Sequence, residues 1–305
     1  MSMIIKLVVL VAILATSFAA TSTFHANCGK HFSLFQKRFM KRYGSDDVLA
    51  KRRGIFCENM KKVDALNALN GEHQSFGVTK FSDKTEEENK VLLGRKSGSP
   101  PTHVKSVREP VKRGPFDTDS ELVDWTSAGM VTPVKNQGQC GSCWAHSATE
   151  AAESEWMIRG NAPWEFSVQQ VASCDTTSQG CGGGWTQAAY AYLQGLPSKQ
   201  GLGSNSWAPY VQSMTTQCTT ASCTEACTDI DFAGLETEAS LTGYYATLSG
   251  FDYAIPECET NRNCNGQNMT AFAESVALTG PPSVCVNAQT WTSYTGGVMS
   301  TSACG

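Results

Sequence analysis

The chain has 305 residues, of which 13 are cysteine, and a formal net charge of −4. This length suffices for one large domain or two ordinary domains with sizeable cores. After the first twenty residues, no stretch reaches the roughly 18 apolar residues that a membrane span requires. The sequence therefore predicts a globular protein and excludes a multi-spanning membrane protein.

The first nineteen residues have the pattern of a secretory signal peptide. Lys6 precedes the apolar residues 7–15, and residues 17–19 have the small-x-small pattern of a cleavage site. The many cysteines suit an oxidising compartment. We expect entry into the secretory pathway, a lysosome-like or extracellular destination, and no membrane attachment after cleavage; the alternative is an uncleaved anchor.

Charge divides the chain into two halves. Residues 21–115 carry 19 Lys and Arg against 10 Asp and Glu, a net of +9, and residues 116–305 carry 4 against 18, a net of −14. The basic side chains alternate with apolar ones, so no nucleic-acid partner is expected. The halves should attract each other at neutral pH, and protonation of carboxylates should weaken that attraction in acid.

Residues 31–69 are predicted to be helical, because Phe32, Phe35 and Phe39 recur at helical spacing. A second helical face consists of Arg52, Phe56, Asn59, Val63 and Asn67. The pattern Gly-x-Thr-x-Phe-x-Asp follows at residues 77–83, and Thr85 has the character of a helix cap.

The most informative stretch is Gln-Gly-Gln-Cys-Gly-Ser-Cys-Trp-Ala-His-Ser at residues 137–147. An amphipathic helix is predicted from Cys143 to Arg159, ended by Gly160. A cysteine at a helix N-terminus is placed where the helix dipole favours a thiolate. Gln137 can donate a side-chain N–H to the charge that develops on a carbonyl attacked by Cys143.

Residues 137–145 resemble the nucleophile segment of papain-like, cathepsin-type cysteine proteases. A bare Cys-x-x-Cys also fits a zinc or redox pair, but the Gln, Gly, Ser and Trp at fixed offsets favour the protease. The spacing from Arg52 to Asn67 and the pattern at 77–83 resemble the two motifs of a cathepsin L-like inhibitory propeptide, with Val48 in place of the usual leading Glu. The resemblance implies a propeptide that crosses the active-site cleft in the direction opposite to substrate.

The implied fold is α+β: a papain-like fold of two subdomains, a helical left one and an incomplete β-barrel-like right one, after a helical inhibitory propeptide. The expected ranges are a signal peptide at 1–19, a propeptide at 20–95, a linker and processing region at 96–115, and a peptidase domain at 116–305. Further helices are predicted at 167–174 and 269–278, and strands at 231–251 and 281–288.

Other site residues follow from the resemblance. Gly183 and Gly184, in a turn where backbone must approach another group closely, would bind an extended peptide through backbone groups. Cys285 would form an apolar wall of a substrate pocket; the alternative is a buried core thiol. The disulfides implied by the resemblance are Cys140–Cys181 and Cys174–Cys218. Spacing alone suggests Cys223–Cys227 and Cys258–Cys264, and Cys28 and Cys57 either pair or stay free.

The family's mechanism needs a histidine base oriented by an asparagine. Only one of the five histidines, His146, lies after residue 103. It follows Cys143 by three residues on the same predicted helix, and a packed ring there is favoured over a substitute base, which should face the nucleophile across a cleft. We therefore expect an incomplete copy of a protease precursor, inactive as printed.

Two functions remain in view. The first is a cysteine endopeptidase made as an inactive precursor, which acts on peptides or proteins and has its own propeptide as an intramolecular inhibitor. The second is a catalytically dead homologue that binds peptides or proteases. A monomer is expected. No metal cluster or nucleotide loop appears in the sequence, so no cofactor is expected.

Overall fold

The computed structural model describes residues 24–71, 75–94, 112–120, 122–197, 201–211, 227, 245–256 and 267–304. The chain divides into two compact units. The N-terminal unit comprises Met1–Asn89 and Val286–Gly305, and the central unit comprises Lys90–Cys285. In the part of the chain so described, no helix is both long and apolar enough to cross a membrane.

The N-terminal unit contains the two predicted long helices, α1 (Cys28–Arg38) and α2 (Asp46–Leu69). Helix α2 begins after Ser45 because the Ser45 side chain accepts a hydrogen bond from the Val48 N–H. The Cys28–Cys57 disulfide, with Cα atoms 5.3 Å apart, joins the two helices. The pairing that the sequence left open is therefore settled.

The core of the N-terminal unit is mainly aromatic. Its buried residues are Phe32, Phe35, Phe56, Met60, Val63, Phe76 and Ala303. The Phe56 ring lies 5.4 Å from the Phe32 ring and 5.1 Å from the Phe35 ring, centroid to centroid. Ala303 belongs to the short helix α8 (Thr301–Cys304). The helical spacing read from the sequence thus corresponds to one apolar face.

Residues 77–83 are held by polar side chains. The Asp83 carboxylate is buried and accepts hydrogen bonds from Lys41 Nζ at 2.9 Å and Tyr43 OH at 2.8 Å. The Asn59 side chain donates to the Ser82 carbonyl at 3.0 Å. The second motif is therefore tied to helix α2 through its backbone.

A short helix follows this motif. Helix α3 (Glu86–Lys90) begins with a reciprocal cap, in which Thr85 N–H donates to the Glu88 carboxylate at 2.9 Å and Glu88 N–H donates to the Thr85 hydroxyl at 3.1 Å. Arg52 on α2 also pairs with Glu88 at 2.7 Å. The helix start predicted at Thr85 is confirmed.

The central unit is built on helices, as predicted for its first part. They are α4 (Cys143–Ile158), α5 (Val168–Cys174), α6 (Thr186–Gly195) and α7 (Met269–Thr279). Helix α4 ends at Ile158 with Arg159 as its C-cap, and Gly160 has φ 87°, a conformation that suits glycine. The Ser167 hydroxyl caps α5 by accepting from Gln170 N–H at 3.0 Å.

Helices α4, α5 and α6 enclose one apolar core. Its buried members are Trp144, Ala145, Ala148, Phe166, Val168, Val171, Ala172, Ala189, Leu193 and Leu202. Beside it, the fully buried Glu153 pairs with Lys135 Nζ at 2.6 Å and accepts from the Phe166 N–H at 2.7 Å. Both contacts satisfy a charge that would otherwise be costly to bury.

The predicted strands do not appear as ladders in the described residues. Residues 231–244 lie outside them, and residues 281–288 adopt no regular element. In the whole described part of the chain, β pairing consists of the isolated bridges Phe76–Tyr294, Phe166–Ser204 and Leu202–Ala246. A strand needs a neighbour to complete its hydrogen bonds, and none is described beside residues 281–288.

Candidate active site

Cys143 is the first residue of helix α4 and carries a free, half-buried thiol. Burial raises the pKa of the Cys143 thiol, while hydrogen bonds from the backbone of Gly94 and Trp144 act in the opposite direction. The nucleophile predicted from the sequence is therefore at a helix N-terminus, where the sequence placed it. In this state, burial outweighs the stabilisation that the helix end offers a thiolate.

Gln137 is fixed at both ends. Its side-chain amide donates to the Leu92 carbonyl at 2.9 Å, and its own carbonyl accepts from Tyr210 OH at 3.0 Å. The amide is thus already bound to a backbone carbonyl. A carbonyl oxygen is the type of group that Gln137 is expected to bind during catalysis.

Gly184 binds the same stretch of chain. Its N–H donates to the Gly94 carbonyl at 2.8 Å. A Cβ added to Gly184 would lie 2.5 Å from the Trp144 ring, and one added to Gly183 would lie 2.7 Å from the Gly94 carbonyl. The close backbone approach predicted for this turn is confirmed.

We call residues 91–94 the covering segment, because their backbone is bound by Gln137 and Gly184 and hydrogen-bonds the Cys143 thiol. Gly94 is required there: an added Cβ would lie 1.9 Å from the Gly141 carbonyl oxygen. These contacts were not predicted from the sequence, because Gly94, a glycine just before the basic linker, has no periodicity or charge to mark it.

His146 is directed to Ser142 and Tyr210. Its ring is buried, Nδ1 lies 3.0 Å from the Ser142 carbonyl, and the ring packs edge-on against Tyr210 at 4.7 Å. Burial lowers the pKa of His146, with a smaller contribution of the same sign from Lys135. These contacts match the packed ring that the sequence analysis favoured.

Backbone carbonyls, which can only accept, show which side chain donates each hydrogen bond between His146, Ser142 and Tyr210. The Gln137 carbonyl can only accept, so Tyr210 donates its proton there. Ser142 Oγ, 2.6 Å from Tyr210 OH, must then donate to Tyr210. Since the Ser142 carbonyl also only accepts, Nδ1 of His146 carries a proton. The chain of bonds ends at the backbone of Gln137.

The glycine turn is joined to the nucleophile loop. The expected Cys140–Cys181 disulfide is present, with Cα atoms 4.5 Å apart. The Gly141 N–H donates to the Cys181 carbonyl at 3.1 Å, and Trp144 Nε1 donates to the Gly180 carbonyl at 3.1 Å. These bonds fix Gly183 and Gly184 relative to Cys143.

A second expected disulfide is wrong. Cys174 pairs with Cys227, with Cα atoms 4.8 Å apart, and not with Cys218. The suggested Cys223–Cys227 pair is excluded by the same bond. Sequence separation does not choose among nearby cysteines, because bonding depends on which Cα comes within about 7 Å with suitable direction. Cys218, Cys223, Cys258 and Cys264 lie outside the described residues.

Cys285 is a free, exposed thiol. The alternative of a buried core thiol is therefore wrong. Whether Cys285 contacts substrate, as the resemblance implies, stays a prediction.

Comparisons with known proteins agree with this geometry. Residues 120–305 match the family "Papain family cysteine protease", and residues 32–89 match "Cathepsin propeptide inhibitor domain (I29)". A cysteine proteinase of Trypanosoma brucei brucei is 30% identical over 282 residues, covering 88% of this chain and 53% of that protein. Cysteine proteinase A of Leishmania mexicana is 32% identical over 273 residues, covering 88% of this chain and 68% of that protein.

Two solved precursors share the fold. A recombinant stem bromelain precursor has a TM-score of 0.62 at 24% identity, covering 89% of this chain and 76% of its own. Digestive procathepsin L 3 of Tenebrio molitor larval midgut has a TM-score of 0.51 at 25% identity, covering 82% and 70%. The fold and the thiol site define a papain-like cysteine protease with a helical propeptide. The chain belongs to the papain family of cysteine proteases.

Proposed function

We propose that this chain is the inactive precursor of a cysteine endopeptidase, in which the covering segment takes the place of a peptide substrate. One observation carries the proposal. Two carbonyls of one short segment, those of Leu92 and Gly94, accept hydrogen bonds from the Gln137 amide and the Gly184 N–H, at 2.9 and 2.8 Å, and the Gly94 backbone also hydrogen-bonds the Cys143 thiol. A peptide substrate offers the same backbone groups.

Each residue then has a role in cleavage. Cys143 attacks the scissile carbonyl, and Gln137 together with the Cys143 N–H stabilises the negative charge on its oxygen. Gly183 and Gly184 hold the extended backbone of the substrate, and Cys285 lies along the pocket for one of its side chains. Water then hydrolyses the thioester.

The thiol is held protonated in this state. Burial is the largest cause that raises the pKa of Cys143, while a hydrogen bond from the Gly94 backbone acts in the opposite direction. A protonated thiol is a weak nucleophile. Displacement of residues 91–94 is proposed to open the substrate path to Cys143.

A glycine substitution tests this proposal in the full chain. Gly94→Ala places a Cβ against the Gly141 carbonyl and should displace the segment, so iodoacetamide should alkylate Cys143 at least several-fold faster, as measured by peptide mapping. Gly195→Ala is the matched control, because an added Cβ there has nothing within 4 Å. Equal alkylation rates in the Gly94→Ala variant and the parent chain would contradict the proposal.

Hydrolysis is a separate matter for the 305 printed residues. After residue 103 the only histidine is His146, whose Nδ1 proton is used at Ser142. We expect no cleavage of a peptide amide by this chain. Turnover of a fluorogenic peptide that disappears in Cys143→Ala would overturn that expectation.

The same observation supports a second candidate, a catalytically inactive homologue that binds peptides or proteases. It predicts that the opened Gly94→Ala chain binds an extended peptide that it never cleaves. Calorimetry with a peptide, followed by mass spectrometry of the recovered peptide, separates the two candidates. Intact peptide with measurable affinity favours the binding protein, and cleaved peptide favours the enzyme.

We also propose secretion followed by release in an acidic compartment. The support is the signal-like residues 1–19 and the net charges of +9 and −14 on residues 21–115 and 116–305. Protonation of carboxylates weakens the attraction between the halves as pH falls. The affinity of the separate propeptide for the rest of the chain should drop between pH 7 and pH 4, and a flat profile would contradict this mechanism.

A further inference from the structure

Two cysteines with free thiols, Cys143 and Cys285, belong to the central unit. The remaining cysteines whose side chains are described are in disulfides. Cys143 is half-buried at the start of α4, and Cys285 is exposed six residues after the end of α7. The pair is therefore two thiols of unequal exposure in one compact unit.

The segment that carries Cys285 is anchored along helix α4. Gly280 lies against the end of that helix, because an added Cβ would be 2.5 Å from Ile158 Cδ1. Ser283 lies nearer the start of the helix, where its hydroxyl donates to the Ser147 carbonyl at 3.0 Å. The chain from 280 to 283 therefore runs towards the N-terminus of α4.

Ser283 is held by two partners. Because its own proton goes to the Ser147 carbonyl, Tyr190 must donate to Ser283 Oγ, at 2.6 Å. Burial raises the pKa of Tyr190 to about 12, which keeps that donor protonated. Residues 281 and 282 are both proline, which favours an extended backbone here. The anchor is thus well defined just before Cys285.

The chain beyond this anchor keeps Cys285 close to the start of α4. Cys143 precedes Ser147 by four helical residues, a rise of about 6 Å. Cys285 follows Ser283 by two residues, which span at most about 7 Å. Cys285 is therefore held a short distance from the helical turn that begins with Cys143. In agreement, the Cys285 thiol acts electrostatically on Cys143, after burial as the main cause, to raise the Cys143 pKa.

We propose that Cys143 and Cys285 form a dithiol that hydrogen peroxide closes to a reversible disulfide. The inference goes beyond the proposed function, since it needs neither substrate nor hydrolysis. Under this proposal, Cys285 is a redox partner of Cys143 in addition to its proposed place along the substrate pocket.

The chemistry balances in two steps. The exposed Cys285 thiol attacks one peroxide oxygen, the O–O bond breaks, and Cys285 sulfenic acid and one water form. The Cys143 thiol then attacks the sulfenic sulfur; the S–S bond forms, the S–O bond breaks, and the hydroxyl leaves with the thiol proton as a second water. Two electrons pass from the two sulfurs to peroxide. The result blocks Cys143 in a form that a dithiol reductant restores, unlike a sulfinic acid.

The test uses the full chain with its disulfides intact. After stoichiometric hydrogen peroxide and capping of remaining thiols with N-ethylmaleimide, tandem mass spectrometry of a non-reduced digest should show a Cys143–Cys285 linked peptide from the monomer. Dithiothreitol should abolish it. In Cys285→Ser, the linked peptide should be absent, and Cys143 sulfinic acid should accumulate several-fold faster than in the parent chain.

A matched pair of variants tests the anchor. Ser283→Ala removes the bond to Ser147 and should reduce the linked yield several-fold, whereas Ser293→Ala, in the N-terminal unit, should leave it unchanged. The same oxidation of Gly94→Ala shows whether the covering segment limits access to Cys143.

The proposal is overturned if no linked peptide forms in either the parent chain or Gly94→Ala, or if Cys143 links instead to another cysteine or another molecule. Equal sulfinic acid formation with and without Cys285 also overturns it. None of these results bears on whether Gly94→Ala accelerates alkylation of Cys143, so failure here is distinct from failure of the proposed function.

Discussion

The buried polar groups of the two units hold different segments of backbone. In the N-terminal unit, the core between α1 and α2 is aromatic and aliphatic, and the buried Asp83 accepts hydrogen bonds from Lys41 and Tyr43. In the central unit, Glu153 and Ser142 are completely buried beside the apolar core. The polar contacts of the first unit hold the motif at residues 77–83, and those of the second hold the backbone of Phe166 and of Gln137.

The difference has a physical reason. A buried polar group is costly unless its hydrogen bonds are made, so it constrains its partners to one geometry. In the central unit those partners are the backbone of Phe166 and, through Ser142 and Tyr210, the backbone of Gln137. An aromatic core tolerates small shifts that such a network does not.

The largest expected effect is removal of the buried charge in the central unit. Glu153→Ala leaves Lys135 unpaired and the Phe166 N–H without its acceptor, and should reduce the free energy of unfolding by about 3–5 kcal/mol. Urea unfolding of the full chain, followed by hydrogen exchange of α4 amides, measures it. Glu58→Ala, which breaks only an exposed pair with Lys61, is the control and should change nothing measurable. A similar small effect for both variants would mean that the buried pair does not organise this unit.

The next effect tests the aromatic core. Phe56 is completely buried against Phe32 and Phe35, so Phe56→Ala should cost about 3–4 kcal/mol through lost burial and a cavity. Hydrogen exchange of α2 amides measures it in the N-terminal unit. Leu34→Ala on the exposed side of α1 should cost less than about 0.5 kcal/mol. A Phe56→Ala effect as small as that of Leu34→Ala would show that the aromatic cluster is not what stabilises this unit.

A smaller effect concerns pH in the central unit. Burial lowers the pKa of His146, so the unfolded chain takes up a proton at His146 more readily than the folded chain. Stability from this residue is present above the ordinary pKa of about 6.5 and is lost as pH falls below it. His146→Phe keeps the ring contact with Tyr210 and should show a smaller loss of stability between pH 7 and pH 5, measured by urea unfolding. An unchanged pH profile would mean that the ring is not buried as a neutral group.

The smallest effect concerns pH in the N-terminal unit. The hydrogen bond from Arg52 lowers the pKa of Glu88 to about 2. This depressed pKa gives stability that is present above pH 4.5 and lost as pH falls through about 2, but because the carboxylate is 39% exposed it is worth less than about 1 kcal/mol. Glu88→Gln should flatten thermal stability between pH 4.5 and pH 2.5 relative to the parent chain. A parent profile already flat in that range would exclude the Arg52–Glu88 contribution.

Local sequence signals were reliable where one element decides the structure. Thr85 and Ser167 mark helix starts, because each caps backbone groups within a few residues of itself, and Gly160 follows the end of α4. The aromatic spacing on α1 and α2 likewise predicted one buried face. The predicted strand at 281–288 failed as a regular element, since a strand depends on a neighbour that its own residues do not specify.

In the candidate active site, too, local features were predictable from the sequence and long-range contacts were not. The sequence alone determined that Cys143 begins a helix, that Gln137 lies before it, and that a glycine turn must approach another backbone, because spacing and residue type carry this information. Only the tertiary structure decided that Cys174 pairs with Cys227, that Gly94 is the backbone bound by Gly184, and that His146 is committed to Ser142. Those outcomes depend on distances between residues far apart in the chain, which no local pattern encodes.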